Sequence, residues 1–252
     1  MKKGQVTVFV IIGIVIVIIG VLIYLFYPKI EAWFIGPEIN PNGFMQNCIG
    51  EEIKNNLELV SSQGGSINPG HYILYKDQKI EYLCYTEEYY LTCVMQQPML
   101  KRHIETEIEN QIKNKAKECF NSMREEYNRY NPELIEGEIN VELLPNKIVT
   151  TFNSTLTITD DTKQRYEKFI VSIDNNLYEL VNIANSILNW EAAYGDAETT
   201  TYMNYYPNIK VEKDKQLDGS TVYIITDRDT KDKLQFASRS VAWPPGYGSN
   251  PI

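Results

Sequence analysis

The chain has 252 residues, with 24 Lys plus Arg against 33 Asp plus Glu and a formal net charge of −9. That balance excludes the broad basic face a phosphate backbone requires, so nucleic acid is not an expected partner. With 18 tyrosines, four cysteines and two histidines, it offers little for histidine-based metal or acid–base chemistry.

The chain opens on Lys2 and Lys3, followed by an uncharged stretch from Val6 to Tyr27. Seventeen of its 22 residues are Val, Ile, Leu or Phe. A helix of that length spans roughly 33 Å, close to the ~30 Å of bilayer hydrocarbon, so residues 1–27 are predicted to form a basic leader and a long apolar helix. The two lysines stay on the cytoplasmic side, which places residues after about 28 outside. Pro28, Lys29 and Ile30 follow the stretch in place of a small-x-small cleavage site, which argues against removal as a secretory signal. Gly13 and Gly20, seven apart, share a helix face and are predicted to let a neighbouring backbone approach.

The run Lys2, Lys3, Gly4, Gln5, Val6, Thr7 leading directly into the apolar stretch resembles the leader of archaeal type IV pilin-like proteins. The resemblance covers about the first 27 residues. It implies a cut between Gly4 and Gln5, and copies that pack their apolar helices in the centre of a filament. The partner is then a second copy of the chain, with the membrane holding each copy before assembly. Phe9 stands where many relatives carry an acidic residue.

Residues 28–43, with three prolines and two glycines, read as a linker. Residues 44–132 read as a helix–hairpin–helix lobe. Phe44, Cys48, Ile49, Ile53, Leu57 and Val60 follow helical spacing, as do Leu100, Ile104, Ile108, Ile112, Ala116, Cys119 and Met123. Cys48 and Cys119 therefore face inward. Between these helices, "IEYLCYTEEYYLTCVM" reads as two strands that set Cys84 opposite Cys93. The predicted pairs are Cys48 with Cys119 and Cys84 with Cys93. Zinc is the rival reading, but no C-x-x-C pair is present.

Residues 133–240 read as a second, α+β lobe. Alternation predicts strands over about 139–159, and helical spacing predicts one long helix that takes in Tyr166, Phe169, Ile173, Leu180 and Leu188. Three strands follow, near 208–213, 221–226 and 233–239. Residues 241–252 form a Pro/Gly-rich tail, expected to be ordered only where a surface holds it.

The fold class expected is therefore α+β: a long N-terminal apolar helix, acting in a membrane or a filament core, then a disulfide-stapled head of long helices and antiparallel sheet. No hydrolase, zincin, Walker or dinucleotide motif is present, and no catalytic, cofactor or metal residue is assigned. His103, on the flank of a helix, reads as a hydrogen-bonded residue, and Asp227 and Asp229 read as turn aspartates. Asn153, in Asn-Ser-Thr, is the single glycosylation sequon. Tyr82, Tyr85, Tyr89, Tyr90 and the run "TYMNYYPN" supply rings for a core or a partner.

The expected function is a non-enzymatic structural subunit of an extracellular pilus-like filament at the cell surface, with adhesion among its uses. The alternative is a single-pass anchored surface protein that binds a receptor or envelope component.

Overall fold

The structure is a computed structural model, and it describes residues 12–22, 24, 39–159 and 163–244. The chain divides into two compact units, Met1–Asn40 and Pro41–Ile252.

The N-terminal unit corrects the first expectation. Its described helical residues are 12–22 and 24. An eleven-residue run covers about 16 Å, half the hydrocarbon thickness of a bilayer. Among the described residues, no helix is long and apolar enough to cross a membrane. The rest of the predicted helix, residues 6–11, 23 and 25–27, lies outside the described residues. Gly13 and Gly20 fall within the run, and a Cβ at either would meet no atom within 4 Å.

The second unit opens with α1, Pro41–Ser62, whose first residue already has the φ a helix needs. It buries Met45, Ile49, Ile53, Leu57 and Val60 along one stripe. Gly64 and Gly65, with φ of +87° and +102°, turn the chain out of it. Helix α2, Leu100–Glu126, buries Leu100, Ile104, Ile108, Ile112, Ala116, Cys119, Phe120 and Met123. Disulfides join Cys48 to Cys119 and Cys84 to Cys93, with Cα separations of 5.8 and 5.4 Å. These are the partners that the face argument pairs.

The largest sheet runs in the order β1-β2-β12-β11-β10, with β3 also paired to β2. Its strands are β1 (Tyr72–Tyr75), β2 (Gln78–Tyr85), β3 (Val94–Met95), β10 (Ile209–Lys215), β11 (Thr221–Asp227) and β12 (Lys233–Arg239). The turn between β1 and β2 is Lys76–Asp77, both at positive φ, the geometry that matches the twist of a tight hairpin. β2 and β12 are parallel, so the two stretches separated in the sequence reading share one sheet. A small sheet combines β4 (Glu133–Ile135), β7 (Thr155–Thr159) and β8 (Lys163–Tyr166).

The third sheet, β5-β6-β9, is built from Ile139–Leu144, Lys147–Phe152 and Phe169–Asp174. Here the long helix predicted through Phe169 and Ile173 gives way to β9 followed by a shorter helix, α3, Leu177–Tyr194. "FIVSID" alternates buried and exposed along its length, and its β-branched residues fit a pleated, half-buried surface better than a helix.

Both edges of this sheet are occupied by helix side chains. On the β9 edge, Asn42 Oδ1 accepts the Ile170 N–H at 3.1 Å and Gln46 Oε1 accepts the Ser172 N–H at 3.1 Å. On the β5 edge, Glu109 Oε1 accepts the Val141 N–H at 3.0 Å and Glu105 Oε1 accepts the Leu143 N–H at 2.9 Å. The match is metric. Four helical residues advance about 6 Å and two strand residues about 6.7 Å, so an i, i+4 pair spans an i, i+2 pair of edge donors. Arg102 joins the second pair by donating to Glu109 at 3.1 Å. Behind the sheet, Phe120 of α2 meets Phe152 and Phe169 edge-on, at 5.8 and 5.3 Å between ring centres.

Candidate functional site

The end of α3 is fixed by a buried carboxylate. Glu191 accepts from the Tyr223 hydroxyl on β11, from Ser238 Oγ at 3.0 Å on β12, and from the Ala197 N–H at 2.7 Å. Three donors satisfy a charge that would otherwise be costly to bury. Burial, with the Glu191 charge beside it, drives the Tyr223 hydroxyl far above the ordinary tyrosine range, so it stays a donor. The same bond to Ala197 ties back the connector that leads into α4, Thr199–Tyr205. Glu198 caps that helix by accepting the Thr200 N–H at 2.8 Å.

Between α3 and α4 lies a groove of about 380 Å³, lined by Trp190, Tyr202, Tyr205 and Tyr206 together with Glu198 and Ser186. Trp190 is 45% exposed and Tyr205 79%. Ser186 and Tyr202 share a hydrogen bond of 3.2 Å that joins the two helices, and the tilted Tyr194 ring packs beside Trp190 at 4.8 Å. Concave, aromatic and edged by a few polar groups, this is the form small-ligand sites take.

Exposed apolar residues also gather at the loop closed by Cys84–Cys93. Tyr89, Tyr90 and Leu91 are exposed there, and Trp243 meets the Tyr90 ring at 5.1 Å. Residues 241–243 of the predicted tail lie along this loop: the Val241 N–H donates to Leu91 O at 2.7 Å and the Tyr90 N–H to Ala242 O at 3.0 Å. Residues 245–252 lie outside the described residues.

Ser66, His103 and Glu81 converge in a way the sequence did not reveal. Ser66 donates to Glu81, and His103 Nε2 lies 2.7 Å from Ser66 Oγ. The serine hydroxyl therefore lies between a carboxylate and an imidazole, within hydrogen-bond reach of both. The Gly65 N–H goes to Val60 O at 2.8 Å and the Ile67 N–H to Glu107 at 2.9 Å, so neither flanking amide is left for an oxyanion.

Burial raises the Glu81 carboxyl above its ordinary range, against the opposing pull of the Ser66 bond and His103, while Glu107 adds to the rise. A carboxyl raised by folding binds more protons folded than unfolded between the two values. Stability therefore falls as pH climbs from the ordinary glutamate range through the raised one. Glu81→Gln is expected to flatten that slope in urea unfolding midpoints taken across the window. A variant with the wild-type slope would show that Glu81 is not its source.

Asp227 sits at the centre of a second polar cluster. Burial pushes its carboxyl up, but donors outweigh this and hold it low: the Asp229 N–H at 2.8 Å, the Asn176 amide and the Thr230 N–H. These bonds occupy both oxygens, and among the described residues no group of three or more His, Cys, Asp or Glu is placed to hold a metal. Gly4 and Gln5 lie outside the described residues. Asn153 is exposed between β6 and β7, while Ser154 beside it is buried and accepts the Gly137 N–H at 3.1 Å. His71 packs its ring on Tyr82 and Tyr85, at 4.8 and 4.2 Å.

The groove was half legible. "TYMNYYPN" signals a cluster of rings, and its residues form the end of α4 and the turn after it. Trp190 and Tyr194 lie one helical turn apart, off the buried stripe of α3, and exposed aromatics in that position are the signal that marks such a surface.

No family model, no curated protein and no solved structure matches the chain.

Proposed function

We propose that this chain is a structural subunit of an extracellular pilus-like filament. The uncharged apolar stretch of residues 6–27 holds copies together, and the disulfide-closed unit is displayed around them. The observation that carries the reading is the closure of all four cysteines into two disulfides in the unit that follows that stretch. Such bridges persist in oxidising surroundings outside the cytoplasm. Water is a poor solvent for the apolar stretch, and burial among copies of itself removes it from water.

The exposed aromatic groove favours a second reading, an anchored surface protein that binds a ligand or an envelope component. Electron microscopy of material sheared from cells separates the two. Regular fibres labelled by an antibody to this chain are the expected result. Recovery only as dispersed protein in detergent-extracted membranes would overturn the filament and leave the second reading. Mass spectrometry of the mature chain is expected to find Gln5 first. Replacing Gly13 and Gly20 by Leu is expected to reduce fibre yield, because side chains there would hold neighbouring backbones apart.

A further inference from the structure

We infer that the groove between α3 and α4 is a binding site for a small organic cation of the quaternary ammonium class, held by the faces of Trp190, Tyr202, Tyr205 and Tyr206 with Glu198 as counter-charge.

Three observations lead there. The lining supplies four electron-rich rings in one concave space of about 380 Å³. Ring faces are negative, and tryptophan and tyrosine are the strongest attractors of an alkylated ammonium, which loses little hydration on entering an apolar site. The one ionisable carboxylate of the lining belongs to Glu198, whose position is set by its capping bond to Thr200. That bond lowers its carboxyl below the usual range, so it remains an anion. Lys213, whose charge acts on Glu198, is itself bound to Asp196 and to Ala197 O, and so is already matched.

Charge then decides between ligand classes. A net charge of −9 and a carboxylate in the lining repel phosphates, sulfates and carboxylates and raise the local concentration of cations. A plain metal ion finds a single carboxylate here, the other lining groups being four aromatic rings and neutral hydroxyls. An apolar ligand without charge would gain from the rings by burial but nothing from Glu198. A trimethylammonium group uses both. The ligand is taken as a free small molecule, and the site functions in a single copy, so it stands or falls separately from filament formation.

The test is titration of the full chain with choline, observed by saturation transfer to the choline methyl protons and by calorimetry. In parallel, the neutral tert-butyl isostere of choline, equal in shape and without the charge, is titrated under the same conditions. Saturable choline binding at least tenfold tighter than the isostere is expected. Tyr205→Leu, at a site already 79% exposed, is expected to weaken choline about tenfold without altering the unfolding midpoint, and Glu198→Gln to weaken choline about tenfold while reducing the dependence on salt. Equal binding of choline and isostere, or no saturable binding of choline by wild-type protein with an intact unfolding transition, overturns the proposal.

Discussion

Replacing Cys48 and Cys119 together by alanine is expected to destabilise the second unit by about 4 kcal/mol, the chain-entropy value for a loop of this length. The bridge closes a sequence separation of 71 residues, against 9 for Cys84–Cys93, so the second bridge contributes less, about 3 kcal/mol. The larger bridge also joins the two helices whose side chains occupy the edges of the β5-β6-β9 sheet. Its loss is therefore expected to show first as faster hydrogen exchange at the β9 amides Ile170 and Ser172 and the β5 amides Val141 and Leu143. Urea unfolding with the doubly substituted chain measures the total. A loss below about 1 kcal/mol would mean that the two helices stay together in the unfolded ensemble without the bond.

The second large effect belongs to the β5 edge. Glu105→Ala with Glu109→Ala is expected to cost about 4 kcal/mol, because each substitution strands a buried N–H at roughly 1 to 3 kcal/mol. Glu105 is 6% exposed and Glu109 9%, so water does not readily replace them. Glutamine at both positions keeps an acceptor oxygen and loses only the charge assistance, so it should recover more than half of the loss. Arg102, half exposed, contributes little by itself. If the glutamine and alanine pairs are equally unstable, the ion pairing and not the strand contact carries the energy. The two sites are neighbours in one network, so the double variant has to be measured and not summed.

Much of the second unit is readable from residue pattern. The stripes on α1 and α2 are long and regular, and the inward position of Cys48 and Cys119 follows from those stripes alone. The final three strands lie close to their predicted bounds, because short alternating runs between Asp- and Gly-containing turns admit few other readings. β9 was not readable in the same way. Phe169, Ile173, Leu177 and Leu180 fit a helical period across what is really a strand, a turn and a helix, and only the β-branched content of the first six residues argues otherwise. The edge pairing was hidden for a different reason. Glu105 and Glu109 look like solvated charges on a helix flank until β5, more than thirty residues away, is seen to lie beside them. The groove combines both difficulties, since it needs Trp190 on one helix and Tyr205 on another.

The occupied edges of the β5-β6-β9 sheet bear on how copies of this chain can meet. Strand addition between molecules needs a row of open backbone donors, and here two of those donors on each side are already bound by a helix. Polymers joined through this sheet in the cross-β manner, with their repeat of about 4.8 Å along the fibre, are therefore closed to it unless α1 or α2 first lifts away. The Cys48–Cys119 bond opposes that separation, which makes an oxidised chain the one better guarded against amyloid-type growth from this sheet.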